Sequence, residues 1–303
     1  METPEFELAF EPRHGRPVRV AAGVLRVTAP NAGPFTFHGT NSYVVGGKDV
    51  AVIDPGPDDA RHFAALVAAI EGRRVRLILV THTHRDHSRL ARRLGALTGA
   101  PVLAEGPHRS ARPLHAGETN PLSEGADTDF VPDRTIADGQ RLVFGDDALT
   151  AVATPGHAAN HLAFALDGAA RILFSGDHVM AWSTTIVAPP DGSMTDYLAS
   201  LDRLIARDDR LLLPGHGGPV TRPQTFLRAL RAHRRLRERA ILERVIAGDG
   251  KIGAIVRALY ATTDPRLHPA AALSVFSHLE RLVESGAVAT DGPPALDGHY
   301  RPG

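Results

Sequence analysis

The chain has 303 residues, enough for one large domain and a small appendage. Its 34 basic and 34 acidic residues cancel, so no global field draws it to nucleic acid, and with no cysteine it has neither a disulfide framework nor a thiolate metal ligand. The acidic start Met1-Glu-Thr-Pro-Glu-Phe-Glu7 lacks an apolar signal core, and no apolar run approaches a membrane span, so a cytoplasmic protein with no membrane partner is expected.

Residues 18–53 alternate apolar runs with glycine turns, and Val18–Thr28, Tyr43–Gly46 and Val50–Asp54 read as strands. Asp58–Glu71 has helical periodicity, with Phe63, Leu66, Val67 and Ile70 on one face. The apolar run Leu77–Val80 then leads into Thr81-His-Thr-His-Arg-Asp-His87, a buried strand ending in a polar loop. That loop sets His82, His84, Asp86 and His87 within six positions. Imidazole with carboxylate suits zinc, or iron and manganese less exclusively. Four such groups are too many for one open zinc site, so two ions sharing the cluster is the natural reading.

A helix is expected over about Asp86–Leu97, then a strand Pro101–Ala104. Residues 105–138 are rich in proline and glycine without a period, and a loop of that length in a compact domain is usually functional or mobile. It is expected to border the metal site. Its Arg109, Arg112 and His115 either contact substrate or simply solvate the loop. Strands resume at Leu142–Phe144, Leu149–Thr154, His161–Asp167 and Arg171–Asp177, followed by a helix Ser193–Arg207 and a strand Arg210–Leu213. Three of these strands end in a glycine turn and one ligand-type side chain: Thr154-Pro-Gly-His157, Phe174-Ser-Gly-Asp177 and Pro214-Gly-His216. Glycine lets the backbone turn sharply there and come close to bound ions. After His216 the composition turns helical: Pro223–Ala247, dense in arginine, then Ile252–Tyr260 and Ala270–Ser285, with a short strand Ala287–Thr290. Two domains are expected, 1–222 and 223–303, the second winged-helix-like.

In order along the chain, Thr81–His87, Pro155-Gly-His157, Ser175-Gly-Asp177 and Pro214-Gly-His216 resemble the metallo-β-lactamase superfamily. The resemblance implies an α/β fold, the αββα sandwich with metals at the edge between its sheets. It implies one ion on His82, His84 and His157, a second on Asp86, His87 and His216, and Asp177 bridging both. It also gives Asp54, in Ile53-Asp-Pro-Gly56, the role of orienting the ligand loops. Two Zn²⁺ bring four positive charges, and Asp86, Asp177 and a bridging hydroxide cancel three. The remaining charge favours an anionic substrate or a developing oxyanion. Hydrolysis by the bridging hydroxide, with Asp86 accepting its proton, is the expected chemistry.

Over nearly the whole chain the sequence is similar to the β-lactamase-like protein 2 group, through Gly39-Thr-Asn-Ser-Tyr43, the metal motifs, Leu267-His-Pro269 and Leu279-Glu-Arg-Leu-Val283. That group carries a C-terminal winged-helix-like region, and its characterised members are endoribonucleases on single-stranded RNA. The sequence departs from many relatives after the metal motif, where Ser88-Arg-Leu90 replaces Ser-Gly-Gly. A glyoxalase II-like thioesterase would use the same seven ligands. A degenerate binding module is the non-enzyme alternative. Three further points stay open. His161 either serves a leaving group or is a buried hydrogen-bonded histidine. Tyr43 and Trp182 either stack on a base or pack the core. Thr40 and Asn41 either line the site mouth or cap a turn.

Overall fold

A computed structural model describes residues 4–303. The chain order is β1 (Val18–Ala21), β2 (Val24–Thr28), β3 (Asn41–Gly46), β4 (Asp49–Ile53), α1 (Ala60–Ile70), β5 (Arg74–Leu79), α2 (Arg85–Ser88), α3 (Ala91–Thr98), β6 (Val102–Ala104) and β7 (Arg134–Thr135). It continues with β8 (Arg141–Phe144), β9 (Asp147–Ala153), β10 (Leu162–Leu166), β11 (Ile172–Gly176), α4 (Met194–Ile205) and β12 (Leu211–Pro214). The C-terminal part holds α5 (Pro223–Ile246), α6 (Ile252–Leu259), α7 (His268–Glu284), β13 (Val288–Thr290) and β14 (Tyr300–Pro302).

Strands β1 to β7 form one sheet in sequence order, and β12-β11-β10-β9-β8 form a second. The apolar code of the strands explains the layers. In β4, Ala51 and Ile53 face the core between the sheets, while Val50 and Val52 face the helical side. A strand buried on both faces reads as a continuous apolar run, and β4 is one. Tyr43, Leu79, Phe144, Phe164, Phe174 and Leu213 fill the space between the sheets. Leu66 and Ile70 of α1 and Leu94 of α3 cover the outer face of the first sheet. Tyr197, Leu201 and Leu204 of α4 and Leu227 and Leu230 of α5 cover the second. The result is the expected αββα sandwich. Asp59 starts α1 by accepting from the backbone N–H groups of Arg61 and His62, both at 2.9 Å.

The pairing puts the site at one end. Strands β4, β5 and β6 run parallel, as do β11 and β12. The polar loops therefore all leave the carboxyl ends of strands on one edge: Asp54 after β4, Thr81–His87 after β5, His157 after β9, Asp177 after β11 and His216 after β12. Register brings Gly176 of β11 opposite Pro214 of β12, which sets Asp177 beside His216.

Several expectations are corrected in detail. The helix expected over about 86–97 is two pieces, α2 and α3, separated at Arg89 and Leu90. Leu90 N–H donates to the Gly56 carbonyl at 3.1 Å, so the turn is anchored on the β4 loop rather than continuing one helix. The Val18–Thr28 strand is a hairpin turning at Gly23, whose φ of 69° suits glycine. Strand β14, which pairs antiparallel with β13, has no counterpart in the sequence reading. Helix α5 belongs to two cores: its Phe226, Leu227 and Leu230 pack with α4, while its Ile241 and Val245 pack with α6 and α7.

Candidate metal centre

The structure brings all seven sequence-predicted donors together, as the overlapping groups His82–His84–His157, His82–His87–Asp177 and Asp86–His87–His216. His84 Nδ1 lies 2.8 Å from His82 Nε2 and 3.0 Å from His157 Nε2. Asp86 Oδ2 lies 3.3 Å from both His87 Nε2 and His216 Nε2. The Asp177 carboxylate spans the two halves, with Oδ1 3.5 Å from His87 Nε2, and Oδ2 3.1 Å from His216 Nε2 and 3.8 Å from His157 Nε2. His82, His87 and His216 are buried, and the Asp86 side chain, 26% exposed, marks the open side of the cluster.

The outer nitrogens of His87, His157 and His216 face acceptors, which leaves their inner ones turned to the cluster. Asp54 Oδ2 accepts from His87 Nδ1 at 2.9 Å and from the Thr81 hydroxyl at 2.8 Å, while its Oδ1 accepts from the Thr81 N–H at 2.7 Å. Asp54 holds this position with a left-handed φ of 50°, a conformation that aspartate tolerates better than most residues. His157 Nδ1 donates to the Ile186 carbonyl at 2.6 Å. His216 Nδ1 faces the Gly39 carbonyl at 3.3 Å. Such contacts fix the tautomer and orient metal-binding histidines. Thr40 Oγ1 donates to Asp86 Oδ2 at 2.8 Å and in turn accepts from Asn31 Nδ2 at 2.9 Å.

The protonation pattern suits cation binding. Burial pushes His84 down to about 3 and His82 well below the ordinary histidine range, so both keep free lone pairs. Burial also works against the charged form of His87, but Asp86, Asp177 and Asp54 around it raise its pKa well above the ordinary value. That negative field attracts a positive charge, whether a proton or a metal. His87 Nε2 and Asp177 Oδ1 are buried without a hydrogen-bond partner. Buried polar atoms are costly when unsatisfied, and these two lie 3.5 Å apart among donors of metal-ligand type. Five imidazoles and two carboxylates fit zinc, or iron and manganese.

The open readings also resolve. His161 is buried, with Nδ1 2.8 Å from Thr154 Oγ1 and Nε2 accepting from the Asp177 N–H at 3.2 Å, so it is the hydrogen-bonded histidine. Tyr43 is a core residue whose hydroxyl donates to the Pro214 carbonyl at 2.7 Å. Trp182 stacks on Phe37 at 4.8 Å, half-buried. Asn41 braces the His216 turn through the Pro214 and Gly217 carbonyls, whereas Thr40 does face the site. In the long loop, Arg109 is taken by Glu105 and the Ala159 carbonyl, and Arg112 by Glu118 and Glu280, so neither is a free cation for substrate. The loop does border the site, through the bridge between His84 and Ala126. Thr185, Ile186 and Asn31 escaped the sequence reading. Two of them act through backbone carbonyls or deep hydroxyls, for which sequence carries no signal.

A two-sheet αββα sandwich with this donor cluster at its strand ends defines a class. Residues 35–216 match the model of the metallo-beta-lactamase superfamily, and residues 252–293 that of the beta-lactamase associated winged helix domain. The chain is similar to a Beta-lactamase-like protein 2 homolog of Drosophila melanogaster, 27% identical over 277 residues that span 88% of this chain and 90% of that one. It is also similar to the Atrochrysone carboxyl ACP thioesterase of Aspergillus fumigatus, 30% identical over 222 residues, 72% of this chain and 64% of that one. The crystal structure of a metallo-beta-lactamase family protein from Thermus thermophilus superposes with a TM-score of 0.74 at 25% identity, over 94% of this chain and all of that one. The chain belongs to the metallo-beta-lactamase superfamily, as a catalytic sandwich joined to a winged helix domain, and is an enzyme of the hydrolase class. Among the described residues no helix is long and apolar enough to cross a membrane.

Proposed function

We propose that the chain is a di-metal hydrolase of an anionic substrate. His82, His84 and His157 would hold one zinc ion, Asp86, His87 and His216 the other, and Asp177 both. The observation that carries the reading is the pair of buried atoms His87 Nε2 and Asp177 Oδ1, which make no hydrogen bond inside the ring of donors. When bound, such ions act as Lewis acids and bring the pKa of a water to about 7. The residues supply the rest. Asp54, the Ile186 carbonyl and the Gly39 carbonyl orient the rings. Asp86 is kept ionised: burial opposes this, but His87 and His216 beside it lower its pKa. As the donor nearest the open side, Asp86 accepts the proton released during attack, and Thr40 holds its carboxylate in place.

Single-stranded RNA is the substrate we assign first, on the similarity to the β-lactamase-like protein 2 group along 88% of the chain. A thioester is the second reading, on two observations. One relative is named a carboxyl ACP thioesterase. In addition, most arginines of α5 are already engaged: Arg231 with Asp202, Arg244 with Asp249, Arg237 over the Tyr260 ring and Arg234 inside the fold. The test is a hydrolysis panel of single-stranded RNA, bis(p-nitrophenyl) phosphate and S-lactoylglutathione, each with and without chelator. Chelator-sensitive RNA cleavage supports the first reading, and exclusive thioester turnover the second. A chain that hydrolyses none of them when reconstituted with zinc contradicts both.

A further inference from the structure

Arg234 is 3% exposed and forms no ion pair among the described residues. A buried cation without a carboxylate is costly to folding, and an apolar side chain of similar volume commonly serves stability as well or better. Its contacts show what it does instead. The guanidinium lies over the Tyr197 ring of α4 at 5.1 Å, and its NH2 donates to the Thr185 carbonyl. Thr185, itself 2% exposed, shares the one hydrogen of its hydroxyl between the Asp177 carbonyl at 2.7 Å and the His178 carbonyl at 3.0 Å. The next carbonyl, that of Ile186, accepts from His157 Nδ1. One guanidinium on α5 therefore fixes the peptide stretch that holds the main chain of Asp177 and the ring of His157.

We infer that Arg234 is a positioning residue for the metal centre, acting through Thr185 on Asp177 and through Ile186 on His157. The inference rests on the reading of those two side chains as metal ligands. It gives the C-terminal helix a role in the chemistry that does not require it to touch substrate. Losing the guanidinium frees the Thr185 carbonyl to move, and the Ile186 carbonyl moves with it. The His157 ring then loses the acceptor that keeps its Nε2 turned inward. Asp177 loses the clamp on its carbonyl. Both effects weaken metal binding without removing a ligand.

The test is titration of the full-length metal-free chain with Co²⁺, read by its visible absorption, together with thermal unfolding of the metal-free form. Arg234→Met should keep the parent's unfolding midpoint or raise it, yet bind Co²⁺ about 10–100-fold more weakly and with a shifted absorption band. Thr185→Val should weaken Co²⁺ binding and shift its band in the same way, whatever its unfolding midpoint, and Thr185→Ser, which keeps the hydroxyl, should restore the parent's behaviour. If Arg234→Met does not fold, the Thr185 pair decides alone. Parent-like affinity and band shape in Thr185→Val and any folded Arg234→Met would overturn the inference. So would a lowered unfolding midpoint with Co²⁺ binding unchanged, since Arg234 would then serve stability only. A parent chain that takes up no Co²⁺ would instead sink the metal-site reading on which the inference stands.

Discussion

At the scale of single residues, the site depends on how closely glycine lets the backbone approach its donors. A Cβ on Gly215 would lie 2.3 Å from Asp177 Oδ1 and 2.7 Å from His87 Cε1. Gly215→Ala should therefore push the bridging carboxylate aside and cut zinc affinity at least tenfold while the fold survives, as zinc competition with a chromogenic chelator would show. Unchanged affinity would mean that Asp177 is not placed by this contact. The pH dependence of binding follows from His87. Its raised pKa means the metal-free chain holds a proton there at neutral pH, and a metal must displace it. The carboxylates Asp177 and Asp86 raise His216 as well, so zinc affinity should rise with pH by at least about tenfold per unit from about pH 6.5 while either imidazole holds its proton, and level once both are neutral. His84, held at about 3 by burial, is already neutral and adds nothing to this slope. Equal affinity at pH 6.5 and 8 would contradict the assignment of His87 as a ligand. The donors themselves were legible in the sequence because each follows an apolar strand and a short polar or glycine turn. Their orienting groups were not, since a carbonyl such as Ile186 carries no side-chain signature.

At the scale of elements, the long loop 105–138 is tied to the C-terminal domain by Arg112, which pairs with Glu118 in the loop and with Glu280 on α7. Burial pushes Glu280 up to about 7 even with Arg112 beside it. An acid with a raised folded pKa holds its proton more tightly when folded. It therefore lowers stability as pH rises from its ordinary value through the raised one. Arg112→Met removes the compensating cation and should enlarge that loss. Against the parent it should cost about 1–3 kcal/mol at pH 8 and clearly less at pH 6, measured by urea unfolding at the two values. A deficit independent of pH would show that the ion pair with Glu280 does not govern the tie. The elements were mostly legible as periodicities, and the misses have physical causes. The α2–α3 break depends on Leu90 bonding to Gly56, a contact 34 positions away that local propensity cannot encode. The arginine density of α5 does not mark a row of free cations, because Arg231 and Arg244 pair with acidic neighbours and Arg234 faces inward. Composition alone does not separate an exposed cation from one already engaged.

At the scale of the molecule, the strand ends of the two sheets bring their loops to one end of the sandwich. The parallel pairing of β4 with β5 and of β11 with β12 points their carboxyl ends the same way, so residues from Asp54 to His216 meet without any one segment spanning the site. The central claim is that these seven side chains hold two metal ions and that hydrolysis depends on both. Its most direct test is elemental analysis of the zinc-reconstituted, desalted chain beside Asp177→Ala. The account predicts two zinc ions per parent chain, and at most one in Asp177→Ala with hydrolysis of the parent's substrate lost. Fewer than one ion per parent chain, or an Asp177→Ala chain that keeps two ions and full activity, would contradict it.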